Sequence, residues 1–146
     1  MIWENKVLVP AFVAWFLAQL IKLPLEYLFT HRWNWSIMFS TGGMPSSHSA
    51  LVVGIMLSSG LYAGFDSPVF AIAAAFAMIV TYDAAGVRRQ AGIHAQRINT
   101  LIGELLQGHP ISDKHLKEVL GHTPRQVVVG AAMGLVSSLL FWFFWK

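Results

Sequence analysis

Four long uncharged stretches decide what this chain can fold into. Val7 to Ile21 is uncharged and runs past Lys22 through Leu23, Pro24 and Leu25 to Phe29. Ser49 to Phe65 and Ser67 to Tyr82 follow, and Val127 to Trp145 ends in an aromatic run from Phe141. A membrane-spanning helix needs ~20 residues, within a range of ~17–25. Helices that are apolar on every side must be buried or lie in lipid. A soluble bundle of 146 residues is too small to bury four of them. It is also too poor in charge, since 55% of the chain is hydrophobic and 12% is charged. The apolar content excludes disorder, and the absence of cysteine excludes a disulfide scaffold. The expectation is an all-α integral membrane bundle with four transmembrane helices, forming a single domain over 1–146. Glu4 beside Lys6, and an apolar stretch without a small-residue cleavage site, point to a first helix that is retained rather than a signal peptide.

Four crossings divide the loops between two sides. The side opposite the N-terminus receives Arg32, Arg88, Arg89, Arg97, Lys114, Lys117 and Arg125, and Lys22 leans the same way; Lys6 and Lys146 lie on the other. The positive-inside rule makes the arginine-rich side cytoplasmic. The net charge of +3 therefore reports topology, and no nucleic-acid partner is expected. Within the long cytoplasmic loop, Ile98, Leu101, Ile102, Leu105 and Leu106 recur at helical spacing, with Arg97, Asn99, Thr100 and Glu104 off that face. This predicts an amphipathic insertion lying on the membrane or on the bundle, stopped by Gly108, His109 and Pro110. A second short helix is expected from Ser112 to Leu120.

Three chemically capable clusters fall at the cytoplasmic end. The first is Thr41 to Ala50, where Gly42 and Gly43 allow a tight turn, Pro45 suits a first helical position, and Ser46, Ser47 and His48 follow. Amides at a helix start lack internal partners, and the helix dipole favours an anion there. A well-capped entrance explains the glycines and serines equally well, but His48 contributes nothing to capping. The second cluster is Tyr82 to Arg89. One of its arginines is expected to snorkel to the headgroups, whereas Asp83 at the end of an uncharged helix needs a partner or a wet cavity. The third is Leu120 to Val127, where Thr123 is a good N-cap, Pro124 a good first residue, and His122 stands just before them. Two helix entrances, each with a histidine, suggest a phosphate site with two acid–base groups. Lys22 either snorkels beside Glu26 or points at the same anion. His31, His94, His109 and His115 read as interfacial or loop histidines. No metal or other cofactor is expected, since the histidines lack ligand spacing and carboxylates are few.

The stretch Met44-Pro45-Ser46-Ser47-His48-Ser49-Ala50 resembles the Pro-Ser-x-His motif of type-2 phosphatidic acid phosphatases and vanadium-dependent haloperoxidases. End to end, the chain is similar to the small divergent branch of that superfamily, through Ala18 to Lys22, Gly42 to Ala50, Tyr82 to Arg89, and Gly121 to Val127 with Gly130. The resemblance implies that Lys22, Arg88 or Arg89, and Ser46 and Ser47 bind phosphate. It implies His48 as the acid–base residue and His122 as the nucleophile, while Arg32 stands for a further arginine at a longer spacing. His94, six residues after Arg88, keeps the superfamily interval and is the rival nucleophile. Gln126 replaces the aspartate that orients the nucleophile, and Asp83 is expected to supply the missing charge.

The implied activity is metal-independent hydrolysis of a lipid phosphate or diphosphate at the cytoplasmic face, through a phosphohistidine. The alternative is a non-catalytic membrane protein of the same fold that binds or moves anionic lipid headgroups. Vanadate-dependent peroxidation is a poorer match for a membrane site. Gly130-x-x-x-Gly134 and Gly60-x-x-x-Gly64 allow close helix approach, either within one chain or in a homo-oligomer.

Overall fold

The computed structural model describes residues 1–39, 42–105 and 121–145. A 3-10 turn at Ile2–Glu4 precedes α1 (Leu8–Thr30), and a second at Trp35–Phe39 precedes α2 (Ser47–Ala63). Then come α3 (Pro68–Ala85), α4 (Val87–Leu105) and α5 (Pro124–Phe144). Short polar residues start three of these helices. Ser46 caps α2, its hydroxyl accepting from Ser49 N at 3.3 Å, so Pro45 stands just outside the helix rather than in its first position. Ser67 caps α3 ahead of Pro68. At α5, Thr123 Oγ1 accepts from Gln126 N while Gln126 Oε1 accepts from Thr123 N at 2.8 Å. This reciprocal pair satisfies two amides that a helix start otherwise leaves open. Gly64, with φ of 97°, turns the chain from α2 into α3.

The shortest apolar helix is the central one. α2 packs on α5, α1 and α3, and α1 also meets α5. The contacts are made by small residues. Ala11, Ala14 and Ala18 form a fully buried face of α1, and Lys22 continues it one turn further. A β-carbon on Gly134 would lie 2.5 Å from the Ala50 carbonyl oxygen, and one on Gly130 would fall on the Ser46 carbonyl. The Gly130-x-x-x-Gly134 spacing is thus used within the chain, to bring the backbones of α2 and α5 together. Gly60 is closed off by the Phe65 ring of its own turn. Serines complete the seam: Ser58 Oγ donates to Ser138 Oγ at 3.0 Å, Ser138 Oγ to the Gly54 carbonyl at 2.9 Å, and Ser137 Oγ to the Pro10 carbonyl at 2.7 Å.

The large apolar side chains face outward. Ile72, Phe76 and Phe143 are 71%, 56% and 67% exposed, while alanine, glycine and serine fill the interior. A soluble globule is ordinarily arranged the other way, but helices dissolved in lipid gain little by hiding leucine from it and pack through small residues. α1, the helix beginning at Pro68, and α5 are long and apolar enough to cross a membrane. α2, with 17 residues, is shorter at about 26 Å.

The boundary after α3 differs from the sequence expectation. The chain breaks only at Gly86 and resumes immediately as α4, eleven residues before the apolar periodicity begins at Ile98. Arg88, Arg89, Gln90, Ala91 and Gln96 are all good helix formers, so polar character here ends the hydrophobic run without ending the helix. The expected helix from Ser112 to Leu120, with His109 and His115, lies outside the described residues.

Candidate functional site

The ends of α1, α2, α3 and α5 and the start of α4 meet around His122. Its backbone N–H donates to the Ala84 carbonyl at 2.9 Å, which fixes it to the last turn of α3. Gly121, with φ of 84°, permits this seating. Any β-carbon there would run into the backbone of Arg88 and Arg89. The ring is 3% exposed, and neither Nδ1 nor Nε2 has a hydrogen-bond partner among the described residues. The Gln126 side chain and the Gly43 backbone lie near enough to favour its charged form slightly, without meeting hydrogen-bond geometry. Burial dominates, and with the Lys22 ammonium it lowers the His122 pKa to about 4. The imidazole is therefore neutral near pH 7, with a lone pair available.

A cavity of about 20 Å³ opens against this ring, lined by His48, Val80, Ala84, Arg88 and His122. Val80, Ala84 and Arg88 follow one another at four-residue spacing, so α3 and the first turn of α4 supply one wall. Lys22 is 1% exposed on α1, and its charge acts on both His122 and His48. Of the two arginines, Arg88 lines the cavity and Arg89 does not, although both are exposed. His94 is exposed on α4, and Arg32 is exposed in the loop after α1; neither lines the cavity.

Three of the expected site residues are engaged within the protein. The Asp83 carboxylate accepts from Arg88 Nε at 2.6 Å and so braces the arginine across the Gly86 break. Gln126 Oε1 is taken by the Thr123 amide, which makes its first duty a helix cap. Ser46 is similarly committed: its N–H donates to the Gln126 carbonyl at 3.0 Å, and its hydroxyl accepts from both Ser49 N and Ser49 Oγ. The two helix entrances are therefore unequal. The α5 entrance largely satisfies its own amides, whereas at α2 the amides of Ser47 and His48 have no acceptor among the described residues. Val80 and Ala84 were not legible as site residues, since an apolar wall has no composition of its own. Their spacing from Arg88 is the one signal that marks them.

The depressed His122 pKa links the site to stability. Between pH 6.5 and about 4 the unfolded chain takes up a proton that the folded ring refuses, so stability falls as pH falls through that window. Wild type is expected to lose up to about 3 kcal/mol relative to His122→Gln on acidification. Thermal unfolding of both proteins across the window measures this. Parallel curves would contradict a buried neutral imidazole.

Comparison with known proteins gives two matches of consequence. The model of a family described as the Divergent PAP2 family matches residues 3–137. A Bacillus subtilis (strain 168) protein named uncharacterized membrane protein YuiD is 38% identical over 151 residues, covering 96% of each chain. No solved structure matches.

Proposed function

The chain belongs to the divergent PAP2 family, and from that premise we propose that it is a metal-independent lipid phosphate phosphatase working at the cytoplasmic face of a membrane. The observation that carries this reading is His122, buried with both ring nitrogens unpartnered on a cavity shared with His48 and Arg88. A buried polar ring without partners costs the fold stability, and such costs are concentrated where a ligand or a reaction uses the group.

In this mechanism one His122 ring nitrogen attacks phosphorus in line. The bond from phosphorus to the lipid oxygen breaks, and His48 donates its proton to that leaving oxygen. Lys22, Arg88 and the open amides of Ser47 and His48 stabilise the charge on the remaining phosphoryl oxygens. His48, now neutral, takes a proton from water as the oxygen attacks the phosphohistidine. The P–N bond breaks, phosphate leaves, and both histidines return to their starting forms. Histidine suits the second role because its ordinary pKa of ~6.5 is close to working pH. Asp83 acts one step back, holding Arg88 in place.

The cavity of about 20 Å³ takes roughly one water, so phosphate entry requires its lining to open.

A second reading, a headgroup-binding protein without turnover, is favoured by the committed carboxylate and amide: Asp83 is on Arg88 and Gln126 is in the cap. Phosphate release from phosphatidic acid, phosphatidylglycerophosphate and polyprenyl diphosphate by purified protein separates the two. Release from at least one supports the phosphatase. Headgroup binding with no release from any supports the second reading.

A further inference from the structure

The sequence leaves two supports for the amphipathic segment, the membrane or the bundle, and α4 has one buried face and one exposed face. Gly92, Ala95 and Asn99 are buried, and Arg88 on the same side reaches the cavity. About a quarter-turn away, Val87, Ala91, Ile98, Leu101, Ile102 and Leu105 form a second face, with His94 among them. This face is exposed: Val87 is 63%, Leu101 56% and Leu105 83% accessible. Among the described helices, α4 touches α3 alone.

Continuity identifies what covers this stripe. The outward surface of α3, with Phe76, Ile79 and Tyr82 at 56%, 62% and 76% exposure, belongs to a helix long enough to cross a membrane. Only Gly86 separates its last residue, Ala85, from Val87, the first residue of the stripe. The stripe therefore starts at the boundary where the lipid-facing surface of α3 ends. Arg89 and Arg97 are exposed on the remaining sides of the helix. An apolar face with exposed arginines elsewhere on the helix matches a helix lying in the plane of an anionic membrane surface.

We propose that α4 docks its Val87–Leu105 apolar stripe into the headgroup boundary of the bilayer that α3 crosses, on anionic phospholipid. The proposal rests on the membrane reading and not on turnover. A failed release assay leaves it standing, and its own failure leaves the phosphatase reading intact.

The chain has no cysteine, so single-cysteine labelling of the full-length protein is direct. Leu101→Cys and Gln96→Cys, about 140° apart around α4, would carry an environment-sensitive fluorophore in nanodiscs containing phosphatidylglycerol and a shallow spin-labelled lipid. The label at Leu101→Cys is expected to be quenched at least about twofold more strongly than that at Gln96→Cys, as the shallow burial of such helices requires. Replacing phosphatidylglycerol with phosphatidylcholine should reduce the difference. Equal, weak quenching at both positions would overturn the docking. So would a label at Leu101→Cys shielded from both water and lipid, which would put residues 106–120 or a second copy on the stripe. Quenching unchanged by lipid charge would overturn the anionic preference.

Discussion

His122→Ala is expected to reduce phosphate release by about 10⁴-fold or more, the scale of losing a nucleophile that acts together with its acid–base partner. The same substitution should leave the fold intact. In wild type the ring is buried with two unpartnered nitrogens, and a buried polar atom without a partner costs about 1–3 kcal/mol. Removing it relieves that cost and opens a small void in exchange, so thermal unfolding near neutral pH should be unchanged or shifted slightly upward. This combination separates a functional residue from a packing residue: a structural histidine would lose stability and activity together. His94→Ala, on the exposed side of α4, should retain full turnover. Loss of turnover in His94→Ala with retention in His122→Ala would transfer the nucleophile to His94.

The second large effect concerns the helix seam. Gly130→Val should prevent accumulation of folded protein, because its β-carbon falls on the Ser46 carbonyl, a backbone atom that cannot rotate away. Overpacking in a core generally costs about 1–3 kcal/mol, and here the displaced element is the N-cap of α2, two residues before His48. Gly134→Val meets the Ala50 carbonyl oxygen and Gly54 N in the same way. Gly103→Ala is the control. A β-carbon there has nothing within 4 Å, and alanine improves helix propensity by up to about 1 kcal/mol. Yield and unfolding in detergent measure all three. Normal folding of Gly130→Val would contradict the close approach of α2 and α5.

The physical range of each interaction explains what could be read from the residues. Signals carried by nearest neighbours were legible. Thr123 and Pro124 mark the start of α5, uncharged length marks the spans, and clustered cationic and imidazole groups at one end of the bundle mark the site. The cap on α2 was misplaced by one local detail, since both Pro45 and Ser46 are plausible openers and only the hydroxyl finds its amide. The Thr123-to-Gln126 capping box is written in the sequence, at a position where the resemblance implies a catalytic aspartate. Interactions set by three-dimensional approach were not legible. Asp83 reaches Arg88 only because α4 restarts directly after Gly86, and nothing in Arg88-Arg89 says which arginine faces inward. The outcome for Gly130 and Gly134 was likewise open, because small-residue spacing allows close approach without naming the partner helix.

The central claim is that His122 forms a covalent bond to phosphorus. Brief reaction with a lipid substrate labelled in the transferred phosphoryl group, followed by denaturation and peptide mapping, tests it most directly. The expected result is an acid-labile, base-stable phosphoryl group on the peptide containing His122, absent in His122→Ala. Steady phosphate release with no labelled protein, or with the label on His48 or His94, would contradict it.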